Sequence, residues 1–124
     1  MQVLIAKHGG FCFGVSRAIA LAGEAAKTES RVFTYGNLIH NERVVDELKA
    51  QGIAPVESLD DLRPGDTLVI RAHGAPPEIA RQCGERGVRV IDATCPFVRR
   101  IHRIVERAAA EGQFVVILGK PSHP

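Results

Sequence analysis

Two cysteines and three histidines sit where a chain can do chemistry. Cys12 lies in Gly9-Gly10-Phe11-Cys12-Phe13-Gly14 and Cys95 in Asp92-Ala93-Thr94-Cys95-Pro96, each just ahead of a predicted helix. A thiol at a helix N-terminus faces free N–H groups and the positive end of the helix dipole, which favour the thiolate that ligates iron or attacks a substrate. The glycines around Cys12 let backbone approach a bulky inorganic group, and Phe11 and Phe13 are placed to shield it from water. The bland alternative is that both thiols are small buried apolar groups, as single free cysteines usually are.

His40, His73 and His123 lie in three further segments: Gly36-Asn37-Leu38-Ile39-His40-Asn41, Arg71-Ala72-His73-Gly74 and Pro121-Ser122-His123-Pro124. Imidazoles that converge with helix N-termini donate N–H groups to phosphate oxygens, so the set suits a diphosphate. Any one of them alone reads as an ordinary loop histidine. Cys83 falls late in a predicted helix, where packing is expected. His102 lies mid-helix beside Arg99, Arg103 and Arg107, a stripe that reads as solvated surface, with docking of an acidic electron donor as the alternative.

The elements that carry these residues follow a strand–loop–helix rhythm. Apolar runs at residues 2–6 (QVLIA), Val32–Tyr35, Thr67–Arg71, Val88–Ile91 and Phe114–Leu118 predict strands, with a weaker one at Ala54–Glu57. Helical patterns cover about Val15–Glu29, Glu42–Gln51, Pro77–Glu85 and Pro96–Glu111, with Asn41 as an N-cap and Gly52 just past a helix end. Such repeats imply an α/β fold with a mainly parallel sheet. In such sheets ligands bind at the carboxyl ends of the strands. The five strand-to-helix loops there hold His8, Cys12, His40, His73, Cys95 and His123, leaving only Cys83 and His102 elsewhere.

Bulk properties narrow the class. The chain has 124 residues, 45% apolar and 24% charged, which fits one soluble domain with a real core. A formal charge of +2 does not call for nucleic acid but suits a small anion. No run is long enough to cross a membrane, and the N-terminal apolar stretch is too short for a secretory signal. Three cysteines argue against a disulfide framework and for a reducing, cytoplasmic setting. There is no GxxxxGKS/T phosphate loop, no GxGxxG fingerprint and no close CxxC pair, so ATP, NAD and thioredoxin-type chemistry lack support. Residues alone leave three further classes open. One is a metal-free module that binds a phosphorylated metabolite, another a zinc site of Cys12, Cys95 and loop histidines, and the last a thiol enzyme using Cys12.

Four motifs in order, GFCFGVSRA (Gly10–Ala18), GNLIHN (Gly36–Asn41), RAHG (Arg71–Gly74) and DATCPFV (Asp92–Val98), resemble the LytB family of 4-hydroxy-3-methylbut-2-enyl diphosphate reductases. The likeness runs along essentially the whole chain. It implies a trilobed fold of three α/β units around a 4Fe-4S iron–sulfur cluster, with residues 1–96 as the first unit (1–13 leading into it) and 97–124 as the truncated start of a second. Cys12 and Cys95 match two of the family's three cluster cysteines, and His40, His73 and His123 match its substrate-facing histidines.

The implied reaction is reductive dehydroxylation. Two electrons and two protons remove the C4 hydroxyl of the allylic diphosphate, giving isopentenyl and dimethylallyl diphosphate, with electrons from a ferredoxin- or flavodoxin-like donor. The third cysteine, which Cys83 does not match, the proton-relaying acid, and the serine and asparagine diphosphate contacts are expected beyond Pro124. The 124 residues alone are therefore expected to be inactive.

Overall fold

The computed structural model describes residues 1–7 and 9–119. Four short strands, β1 (Val32–Tyr35), β2 (Ile53–Val56), β3 (Thr67–Ile70) and β4 (Arg89–Asp92), form one sheet in the order β2-β1-β3-β4. Every neighbouring pair is parallel. Helices α1 (Phe13–Thr28), α2 (Glu42–Ala50), α3 (Pro77–Glu85) and α4 (Pro96–Ala110) alternate with them, and a 3-10 turn spans Leu59–Asp61.

Both faces of this sheet are covered, which is why its strands read as continuous apolar runs. On one face Ala18, Ala22 and Ala25 of α1 and Val44 and Leu48 of α2 pack with Val32, Ile53 and Val69. On the other, Leu68 and Val56 pack with Leu59, Leu62, Cys83 and Val88, and the partly buried Phe33 and Val90 pack against them. The alternation of side chains along a strand assigns Leu68 and Val69 to opposite layers. Cys83 is fully buried, and burial pushes its thiol pKa up, as packing requires.

The order β2-β1-β3-β4 carries a functional consequence. The chain leaves β1 toward β2 and then returns to place β3 on β1's other side, so β1 and β3 flank a topological switch point. Loops diverge there and open a crevice at the carboxyl ends of the strands. The segments after these two strands are the ones that carry His40 and His73.

The strands expected at residues 2–6 and 114–118 do not form. Val3, Leu4 and Ile5 at one end, and Phe114, Val116, Ile117 and Leu118 at the other, are exposed and pair with no strand. Apolar, β-branched composition favours a strand, but a strand exists only where a neighbour accepts its ladder, and neither segment joins the sheet. The expected loop Lys7–Gly14 therefore does not follow a strand. The segment Gly119–Pro124 does not either, and all of it but Gly119 lies outside the described residues. Helix α4 is also lightly packed. None of its residues is buried, and its apolar stripe leaves Phe97 71% and Ile101 59% exposed.

Leu68 lies at the centre of the sheet with no exposure. Leu68→Ala is expected to lower unfolding free energy by about 3 kcal/mol, from lost transfer energy plus a cavity. Chemical denaturation measures it, and a loss well under about 1 kcal/mol would contradict the packing.

Candidate functional site

Both thiols sit at helix N-caps. The Cys12 carbonyl accepts from Ser16 N at 3.0 Å and the Cys95 carbonyl from Arg99 N at 2.9 Å, which starts α1 and α4. Neither side chain makes a capping hydrogen bond to its own helix, so neither thiol is engaged by local structure. Pro96 at the first helical position of α4 has no N–H to satisfy there.

Gly14, in the first turn of α1, brings the two thiol carriers together. A Cβ placed on Gly14 would lie 2.7 Å from Cys95 Sγ and 2.9 Å from Cys95 Cβ, so the Cys95 side chain occupies the space a larger residue would need. Cys95 thus packs against the helix turn that Cys12 opens, although the two are far apart in sequence. Cys12 is exposed and Cys95 partly so. Among the described residues no group of three or more Cys, His, Asp or Glu gathers to hold a metal ion. Two soft sulfur donors in reach of one turn suit zinc or an iron–sulfur cluster as a partial ligand set, not as a complete one.

The Cys95 loop is pinned by Asp92. Its Oδ1 accepts from Thr94 N at 2.8 Å and from the Thr94 hydroxyl, while Oδ2 accepts from Arg99 Nη2 at 2.6 Å. Burial alone would raise the Asp92 pKa, but the Thr94 hydrogen bonds and the charges of Arg99 and Arg17 outweigh it and hold the carboxyl below its usual range. Cys95 N donates to Ala72 O at 2.9 Å, which ties this loop to the segment of His73.

The imidazoles of His40 and His73 stand 5.3 Å apart, centroid to centroid, tilted by 51°. Three local features place them. The buried Thr34 hydroxyl donates to Gly36 O at 2.8 Å and turns the chain after β1. Asn41 caps α2 by accepting from Val44 N at 3.2 Å. Gly36, at φ +62°, leaves room for the Arg71 guanidinium, whose Nη1 would meet a Cβ there at 3.3 Å.

A cavity of about 260 Å³ joins the parts, lined by Phe11, Val15, Ile39, His40, Asn41 and His73. Its walls come from the Cys12 segment, α1 and both histidine loops. A larger hollow of about 570 Å³ lies on the other side of His40, but Glu42 and Asp46 face it with Lys49, a poorer setting for an anion.

Of the residues expected from sequence, Cys12, Cys95, His40 and His73 therefore lie on one edge of the sheet. His123 and His8 fall outside the described residues. Phe11 and Phe13 are not a buried shield, being 49% and 62% exposed. His102 is exposed, as expected for a surface stripe, yet its Cε1 would meet a Cβ on Gly74 at 2.8 Å, so its ring rests on the His73 loop.

Gly14, Arg17 and Asp92 were not singled out by residue type. One signal pointed to Gly14: glycine inside a helix costs stability and usually has a packing reason. Arg17, one turn on, is the first charged residue of α1.

Fold and site define a doubly wound parallel α/β domain that gathers thiols and imidazoles at the carboxyl edge of its sheet. The chain belongs to the LytB protein family, whose model matches residues 3–124. It is 44% identical over 125 residues to the 4-hydroxy-3-methylbut-2-enyl diphosphate reductase of Aquifex aeolicus, covering 100% of this chain and 43% of that protein. The reductase of Geobacter sp. is likewise 44% identical, over 100% of this chain and 44% of its own length. A solved structure of (E)-4-hydroxy-3-methyl-but-2-enyl diphosphate reductase, described as the terminal enzyme of the non-mevalonate pathway, matches with TM-score 0.84 at 45% identity, over 98% of this chain and 43% of that one. A reductase structure from Plasmodium falciparum matches with TM-score 0.89 at 33% identity, over 94% and 37%. The chain thus spans less than half the length of these relatives.

Two outcomes test the site's geometry. Gly→Ala inside a helix ordinarily stabilises by up to about 1 kcal/mol, but Gly14→Ala is expected to destabilise by about 1–3 kcal/mol through overpacking on Cys95. A stabilised variant in urea denaturation would exclude the contact. Asp92→Asn is expected to cost about 1 kcal/mol at pH 7, discounted for solvent screening. Because the folded-state pKa of Asp92 is depressed, its contribution is present above the ordinary carboxylate pKa and is lost as pH falls through the folded value. Stability of the two proteins should therefore converge in acid, and a gap that persists unchanged to pH 2 would refute the assignment.

Proposed function

We propose that this chain is the N-terminal part of an iron–sulfur reductase that removes the C4 hydroxyl of (E)-4-hydroxy-3-methylbut-2-enyl diphosphate to give isopentenyl and dimethylallyl diphosphate. Cys12 and Cys95 would hold two corners of a 4Fe-4S cluster, and His40, His73 and His123 would face the substrate's diphosphate. The observation that carries the reading is the packing of Cys95 on Gly14 beside a crevice shared by His40 and His73. When bound, such a cluster supplies electrons and an open Lewis-acidic iron at the carbinol oxygen.

The chain's own residues do the binding and orienting. His40 and His73 offer ring N–H donors to phosphate oxygens, and the nearby Arg71 adds a permanent positive charge. Holding the diphosphate here directs the remainder of the substrate along the cavity toward the Phe11–Cys12 segment. Remote binding energy then fixes the reacting carbon instead of being lost on a freely tumbling ligand. Val15 and Ile39 give the short apolar chain a matching wall.

Residues 97–124 read as the start of a second α/β unit. Helix α4 turns an apolar stripe to solvent, and the segment 114–118 has a strand's composition without a strand's neighbour. A cytoplasmic location and a ferredoxin- or flavodoxin-like electron donor complete the reading. Among the described residues no helix is long and apolar enough to cross a membrane.

The test is anaerobic preparation of the protein at its relatives' full length, with iron, sulfide and zinc counted. About four irons and four sulfides per protein, and reductive dehydroxylation of the allylic diphosphate, are expected. Cys12→Ser and Cys95→Ser should each abolish turnover and cost iron. Zinc in place of iron, or full turnover in either variant, would remove the cluster assignment.

A further inference from the structure

We infer that Arg17 is a positioning residue that clamps the Cys95 loop to the helix opened by Cys12 and so sets the separation of the two thiols. The inference rests on the proposed pairing of those cysteines. Arg17 Nη1 donates to the carbonyl of Thr94, the residue before Cys95, at 3.3 Å. Among the described residues this is the only hydrogen bond that joins α1 to that loop. The loop's other tethers lead elsewhere: Ala93 N to Ile70 O at 3.1 Å, Thr94 N and its hydroxyl to Asp92, Asp92 to Arg99 of α4, and Cys95 N to Ala72 after β3.

Two opposed contacts therefore define the approach. The Cys95 side chain against the bare Cα of Gly14 is a steric wall that fixes how near the loop can come. Arg17, three residues further along α1, lies on the same helix face as Gly14 and supplies the attraction that keeps the loop against that wall. A cationic donor to a carbonyl in a partly buried setting makes a stronger bond than a neutral one, and a long side chain is needed to span from helix to loop. Without Arg17 the loop keeps its tethers to Asp92, Ile70 and Ala72, but no hydrogen bond holds it to α1, so its sulfur can settle further from Cys12.

The probe is phenylarsine oxide, which binds tightly only when two thiols can reach one arsenic. It is titrated into the reduced 124-residue chain, with far-UV circular dichroism as a check on folding. The unsubstituted chain is expected to take up one equivalent, and Cys12→Ser to lose this capture. Arg17→Met should weaken capture by about tenfold, the size of one lost hydrogen bond to a charged donor, and Arg17→Lys should recover most of it. A purely structural role would lower the melting temperature of both variants without this difference in capture. Capture by Arg17→Met as tight as by the unsubstituted chain would overturn the clamp, as would Arg17→Lys no better than Arg17→Met. Should Arg17→Met not fold, Arg17→Gln carries the same comparison. Capture that survives Cys12→Ser would instead strike the pairing of Cys12 with Cys95, whatever Arg17 does.

Discussion

The side chain of Cys95 lies where a Cβ on residue 14 would be, and the geometry of the site follows from that contact. Helix α1 can bring its N-terminus to the carboxyl edge of the sheet because its inner face is built from Ala18, Ala22 and Ala25, whose small side chains allow a close approach to Val32 and Val69. The loop after β4 reaches the same place from the other direction, held by its turn around Asp92 and by the bond from Cys95 N to Ala72. Glycine at position 14 is the one residue that lets the two meet. The thiol pair and the crevice beside it both depend on that meeting.

Around this contact the charges are sorted. His40, His73 and Arg71 gather at the switch point between β1 and β3, and no carboxylate lines the cavity that the two histidines share. The carboxylates Glu42 and Asp46 face the separate hollow beyond His40. Asp92, the acid nearest the thiol loop, is already committed to Thr94 and Arg99 and is therefore occupied as a structural acceptor. The thiols are not spent on capping their helices, although each occupies a position where a serine or aspartate would be.

Much of this was legible before any coordinates. The four helices, the strands at Val32–Tyr35 and Thr67–Ile70 and the cap at Asn41 follow from local periodicity and turn chemistry, which depend on neighbours in sequence. The loop locations of His40, His73 and Cys95 follow from the same reading, because strand-to-helix loops of a parallel sheet all open on one edge, whereas Cys12 opens α1 with no strand ahead of it. The segments 2–6 and 114–118 were misread because pairing is a tertiary event: composition marks a segment able to be a strand and cannot name its partner. Arg17 escaped notice for a related reason. An arginine in an amphipathic helix looks like solvated surface until a carbonyl from a distant loop arrives beside it. The role of Gly14 needed the identity of the atom that approaches it, which only the fold supplies.

The most direct measurement is anomalous diffraction at the iron edge from crystals of the protein at its relatives' full length, grown without oxygen. Iron density is expected within bonding distance of both Cys12 Sγ and Cys95 Sγ, with the His40 and His73 rings bordering the open side. Iron bound away from either sulfur, or a zinc-edge signal between them in place of iron, would contradict it.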